Sequence, residues 1–253
     1  MSQYEFGSGV LFGTPLTDAA GTAIVNPSPI QFGAMQDISI DISAETKTLF
    51  GQQQFPLAVG RGKAKITGKA KAAQVNGAIF NSLFFGQTMN NGIQTYVVDT
   101  TGTLIPTTPF IITPTVPSVG TWSYDLGVKN ASGLPMTRVA SAPTTGQYSV
   151  SSGAYTFAAA DTGLLVFISY AYTATSTSAK KSTVTNVLMG YAPTFQADFY
   201  IAFNGKALTM RLYACVATKL SFATKTDDFL IPEFDFEAFA NSAGQVLDWS
   251  TAE

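Results

Sequence analysis

Hydrophobic and polar residues alternate with period two along much of the chain. In residues 37–43, Ile38, Ile40 and Ile42 alternate with Asp37, Ser39, Asp41 and Ser43, which predicts a strand with one buried and one wet face. A second run repeats Gly-Lys-Ala-Lys at residues 62–65 and 68–71. The even offset predicts Lys63, Lys65, Lys69 and Lys71 on one face of a strand, with Ala64, Ile66 and Ala70 on the other. Between these runs, residues 44–59 read as a loop too long for a tight turn, carrying Phe50, Gln52, Gln53, Gln54, Phe55, Pro56 and Leu57.

The period changes over residues 72–86. Val75, Ile79, Phe80, Leu83 and Phe84 recur at helical spacing and Gly86 supplies a C-terminal cap, predicting one amphipathic α-helix packed on a sheet. Gly77 costs that helix about 1 kcal/mol relative to Ala.

Asn204-Gly205 between two alternating runs predicts a two-residue hairpin turn. Its register follows from the turn: Phe203 opposite Lys206, then Phe195, Ala197, Phe199 and Ile201 opposite Ala214, Leu212, Met210 and Leu208. On the reverse face Asp198 meets Arg211 and Tyr200 meets Thr209, a complementary arrangement contributing about 0.2–1 kcal/mol per pair. Residues 233–237 alternate acids with phenylalanines and predict a last strand.

Residues 90–182 differ in composition. They are rich in Thr, Ser, Pro and Gly, with short candidate strands at 110–113, 147–150, 154–157 and 164–172. We read them as an inserted β-rich module within a discontinuous core of residues 1–89 and 183–253; one large decorated barrel is the alternative.

Composition narrows the function. Charged residues make up 12% of the chain against roughly 25% in ordinary soluble proteins, so a free monomer would be poorly solvated. Identical neighbours covering the surface would account for this. The net charge of -2 and the absence of a basic run argue against specific nucleic-acid binding. A single cysteine, Cys215, excludes an intramolecular disulfide framework. The N-terminal residues do not read as a signal peptide and no apolar run is long enough for a membrane helix. These features predict assembly in cytoplasm with no membrane partner.

No constellation points to catalysis, a cofactor or a metal. The chain contains no histidine, which removes the commonest general base. Residues 60–69 miss the P-loop pattern, because Gly62 and Gly68 enclose five residues and Ala70 follows Lys69. Gly7, Gly9 and Gly13 miss the dinucleotide fingerprint by one position. Asp37 with Asp41, or Asp227 and Asp228 with Glu233, could be read as paired carboxylates. Their place on wet strand faces and in loops explains them without catalysis. An enzyme is therefore not expected.

The order strand, long loop, strand, amphipathic helix, insertion, hairpin, terminal strand resembles phage tail tube proteins. The segment from Phe50-Gly51-Gln52-Gln53-Gln54-Phe55-Pro56 through Gly60-Arg61-Gly62-Lys63, continuing to Gln74-Val75-Asn76-Gly77-Ala78-Ile79-Phe80-Asn81, is similar to segments of phage tail structural proteins, as is Gly153-Ala154-Tyr155-Thr156-Phe157. The resemblance covers residues 1–90 and 183–253 by layout; the insertion departs from the minimal tube fold.

That resemblance implies a mainly β fold, a tail-tube-type barrel or sandwich of antiparallel strands with one flanking helix. It implies homo-hexameric rings stacked into a tube in the virion tail. Such a tube houses the tape-measure protein, meets sheath, tail-completion or baseplate proteins, and passes DNA without gripping it. Phe50, Gln52, Gln53, Gln54, Phe55 and Leu57 are then the expected inter-ring contacts. Asp37, Ser39, Asp41, the four lysines, Asp198 and Arg211 are expected on the lumen or another wet face. The competing reading is a carbohydrate-binding or adhesin-like β-sandwich of a phage baseplate or decoration protein.

Overall fold

The computed structural model describes residues 4–251. It is mainly β, with 52% of residues in strands, and its strands are numbered here in chain order. Asn90–Lys181 forms one compact unit, and the residues before and after it form the other. The composition change at residues 90 and 182 coincides with this division.

The first unit is built on one open sheet. Its strands are β1 (Val10–Pro15), β2 (Ile30–Gln31), β3 (Met35–Phe50), β4 (Pro56–Ala72), β15 (Thr194–Phe203), β16 (Lys206–Ser221), β17 (Glu233–Phe239) and β18 (Leu247–Thr251). They lie in the order β2-β1-β15-β16-β17-β4-β3, with β18 also paired to β16. All pairings are antiparallel. The predicted barrel is therefore not closed within one chain: β2 and β3 are free edges of an open sheet.

One face of the sheet carries the core, including Leu11, Phe32, Phe195, Leu212, Phe234 and Phe236, covered by Ile79, Phe80 and Leu83. Those last three belong to the predicted helix, which is shorter than its periodicity suggested. Asn76 caps it by accepting from the Ala78 and Ile79 amides. Helix α1 spans only Gly77–Phe80 and passes into a π-helical turn over Asn81–Phe85. Gly86, in the left-handed region, closes that turn by donating to Asn81. Val75 is exposed rather than packed.

The hairpin has the expected register from Phe203↔Lys206 to Ala197↔Leu212. Asn204 and Gly205 both have positive φ, 51° and 77°, as a type I′ turn requires. A bulge then shifts the register, so that Phe195 faces Cys215 and not Ala214. The correction is one inserted residue in β16.

A larger correction concerns residues 44–59. They are not a loop: β3 runs to Phe50 and β4 begins at Pro56, leaving only residues 51–55 as the connection. Every residue from 41 to 65 is exposed. The antiparallel β3–β4 pairing continues through them after β17 has ended opposite Ile66. The result is a freestanding two-stranded arm, about 30 Å long at about 3.3 Å per residue. Between the Ala44–Ala64 and Thr46–Arg61 pairings β4 carries one extra residue, so the regular alternation that puts Lys65, Lys69 and Lys71 on one face is interrupted at Gly62 and Lys63.

The second unit is a sandwich of two small sheets. One contains β8 (Ile111–Ile112), β10 (Thr137–Arg138), β11 (Gln147–Ser151) and β12 (Ala154–Phe157), with β10 and β11 parallel. The other contains β6 (Ile93–Val97), β7 (Thr103–Leu104), β9 (Thr121–Asn130) and β13 (Leu165–Ala174). Val128, Tyr148, Tyr155, Val166 and Ile168 fill the space between them. The chain enters and leaves side by side, because β5 (Asn90–Asn91) pairs with β14 (Lys180–Lys181). Pro106, Pro109, Pro114, Pro117 and Pro143 all lie outside the strands, Pro117 at the start of a short 3-10 turn, in keeping with their missing amide donors.

Candidate functional site

The arm carries the most distinctive surface of the first unit. Phe50 ends β3, Gln52, Gln53, Gln54 and Phe55 form the connection, and Leu57 lies at the start of β4. Phe55 is 80% exposed and Leu57 70%, with Leu49, Phe50 and Val59 also open to solvent. No charged residue occurs between Lys47 and Arg61. An isolated two-stranded ribbon is marginally stable in water, and this one carries exposed apolar side chains toward its tip.

The face of the sheet opposite the core is a ladder of paired charges. Asp37 lies opposite Lys71 and Lys71 opposite Glu233; Ser39 lies opposite Lys69 and Lys69 opposite Asp235. Asp41 continues the ladder opposite Thr67. Ion pairs join Lys65 to Glu237 at 2.9 Å, Lys71 to Asp37 at 3.8 Å and Lys219 to Glu233 at 2.6 Å. Lys219, by hydrogen bonding, holds the Glu233 carboxyl below the usual range. Lys65 and Lys71 of β4 and Lys219 of β16 are thus paired with carboxylates, and Lys69 faces Asp235 across the register. The sequence revealed the acidic alternation at 233–237 but not its alignment with β4.

The same face continues over the hairpin. Arg211 Nε donates to Asp198 Oδ1 at 2.7 Å, and Gln196 Nε2 donates to Asp198 Oδ2 at 2.7 Å. On the other side of Arg211 the register brings in Asp248, which accepts from the Tyr213 hydroxyl. An open groove of about 840 Å³ runs here, bordered by Phe12, Tyr200, Thr209, Arg211, Asp248 and Trp249. Asp248 and Trp249 were not anticipated, because the terminal strand β18 carries no strong alternation. Asn204 and Gly205 form the turn and serve geometry only.

In the second unit Asp125 is the chief polar anchor, its side chain only 4% exposed. It accepts from the Tyr148 and Tyr155 hydroxyls at 2.7 and 3.2 Å and from the Gly127 amide, with Arg138 at 3.8 Å. Burial, then the neighbouring carboxylate, pushes the Tyr148 phenol upward. With its lone pairs so engaged, Asp125 clamps the sandwich. Cys215 lies in the core, where burial pushes its thiol up to about 12. Among the described residues, no group of His, Cys, Asp or Glu converges in a metal-ligating arrangement, and no helix is long and apolar enough to cross a membrane.

No protein-family model and no curated protein matches the chain.

Proposed function

We propose that the chain is the repeating subunit of a phage tail tube, a structural virion protein that assembles in the host cytoplasm into stacked hexameric rings. The freestanding arm with its uncharged apolar tip carries this reading. Such an element is poorly stable in an isolated subunit and gains a partner on stacking. Three further features support it. The open sheet has a sixteen-residue free edge at β3, and a sheet completed by neighbouring subunits removes such edges. The low charge content suits a surface mostly covered by copies of itself. The charge-laddered face, in which carboxylates pair with Lys65, Lys71 and Lys219, suits a lumen that houses the tape-measure protein and passes DNA without retaining it. No catalytic step or cofactor enters this function.

The test is Phe50→Asp with Phe55→Asp. Burying each phenylalanine contributes about 1.5–3 kcal/mol, so the double variant should stay folded and stack at least a hundredfold more weakly. Tubes of normal length from that variant would contradict the reading.

A second reading, a carbohydrate-binding or adhesin-like module, draws on the groove beside Trp249 and Tyr200, since exposed aromatics flanked by polar groups suit sugar rings. A glycan-array signal abolished by Trp249→Ala would favour it.

A further inference from the structure

The two sheets of the second unit present different outer faces. Strand residues alternate between faces, so on β13 Val166, Ile168, Tyr170 and Tyr172 point into the sandwich and Ala171 and Thr173 point out. Ala171 is flanked by Tyr96 of β6 and Tyr124 of β9, and Thr173 by Gln94 and Thr121 of the same strands. The two rows lie about 7 Å apart along the strands. A bulge in β9 between Trp122 and Tyr124 turns Trp122 inward, where it donates to the Tyr155 hydroxyl, and keeps Thr121 and Tyr124 both outside. On the opposite sheet the corresponding outer positions are Ser149, Ser151 and Thr156.

Tyr96 and Tyr124 are 57% and 40% exposed, and Ala171 between them is fully buried. Gln94 Nε2 donates to the Tyr124 hydroxyl at 3.4 Å, and Lys181 Nζ donates to Gln94 Oε1 at 3.0 Å. Beside this row lies a hollow of about 330 Å³ bordered by Asn91, Thr121, Thr173, Thr175 and Lys181, within the range of about 300–1,000 Å³ typical of small-ligand sites. An aromatic platform thus adjoins a recess of hydroxyls, an amide and an ammonium. A sugar ring has an apolar C–H face and a rim of hydroxyls, so it stacks on a phenol ring while its rim hydrogen-bonds to the side chains alongside.

Charge narrows the class of sugar. Residues 90–181 contain Lys129, Arg138, Lys180 and Lys181 against Asp99, Asp125 and Asp161. Those three acids are occupied within the unit. Asp99 accepts from the Thr101, Gly102 and Ile168 amides, Asp125 holds the two tyrosine hydroxyls, and Asp161 is buried and accepts from the Gly146 amide. The lysines by contrast are exposed. Nucleic acid also stacks on tyrosines but needs a track of basic side chains, whereas here one ammonium stands among threonines.

We infer that the outer face around Tyr96, Tyr124 and Lys181 binds an acidic saccharide, with a sugar ring stacked on the tyrosines and its carboxylate against the Lys181 ammonium. The site goes beyond the tube reading, since it uses the second unit alone, and it is distinct from the groove beside Trp249.

An array of carboxylate-bearing and neutral saccharides, probed with the full-length protein, tests this. Binding should be confined to acidic members, lost when their carboxylates are methyl-esterified, and weakened by added salt. Tyr96→Ala with Tyr124→Ala should reduce it at least tenfold, and the exposed single change Lys181→Gln at least fivefold if the double variant misfolds. Trp249→Ala should leave it unchanged. Retention of no acidic saccharide would overturn the inference, as would equal binding of the methyl esters. Displacement by a short single-stranded oligonucleotide at equal concentration would make the face a nucleic-acid site instead. A signal lost in Trp249→Ala and kept in the tyrosine variant would place sugar binding on the first unit and overturn it as well.

Discussion

Gly68 sits so close to Phe236 that a Cβ there would lie 2.1 Å from the end of the ring. Its lack of a side chain lets the phenylalanine lie across β4, a packing reason for a glycine at this point of the glycine-lysine repeat. Gly68→Ala must displace the Phe236 ring from a core it shares with Phe195 and Phe234. Overpacking of this kind costs about 1–3 kcal/mol, and a thermal melt should show a loss of several degrees. Cys215 gives a second residue-scale expectation. A thiol pushed up to about 12 carries almost no thiolate at pH 8, so alkylation should be negligible in the folded chain and rapid in urea. Asp99 supplies the pH dependence. Burial pushes its carboxyl upward, but the Gly102, Ile168 and Thr101 amides and the Thr101 hydroxyl outweigh that and leave it below its ordinary value. A carboxyl depressed by folding stabilises the chain above its unfolded pKa of about 4 and loses that contribution as the pH falls through the folded value. Melts between pH 7 and pH 2 should show a decline below about pH 4 that is smaller in Asp99→Asn.

The hairpin and the arm show where local pattern suffices and where it fails. At the hairpin, turn chemistry and alternation agree, and the register is legible down to the Asp198–Arg211 pair. Gly205→Val should strain a position at φ 77° and cost about 1–2 kcal/mol. Arg211→Glu should melt below Arg211→Ala, because it sets a carboxylate against both Asp198 and Asp248; equal melting temperatures would contradict that pairing. Alternation reports a difference between two faces, and the outer arm has none: both faces meet solvent in the subunit. Strands there leave no pattern, which is why residues 44–59 read as a loop. The helix was legible from Ile79, Phe80 and Leu83 on the core, but its π-helical turn was not, since one extra residue barely alters the spacing. Strand β9 was missed for a related reason: Gly127 and the polar residues of 121–130 obscure its inward positions. The lysine ladder was legible as a wet face, whereas its partners on β17 come from a segment more distant than any local rule reaches.

At the scale of the whole molecule, the chain enters and leaves the second unit through the paired strands β5 and β14. Replacing residues 90–181 with a short Gly-Ser linker should therefore leave the first unit folded. Tubes from that deletion should keep their lumen and have a thinner wall, with the second unit decorating the outside; a folded subunit that has lost its channel would show that the insertion builds the wall. All of this rests on the claim that the chain functions as a stacked homo-oligomer. Negative-stain electron microscopy of the purified full-length protein over a range of concentrations tests that claim most directly. The account predicts six-fold rings and tubes with a continuous central channel. Isolated monomers at every concentration would contradict it.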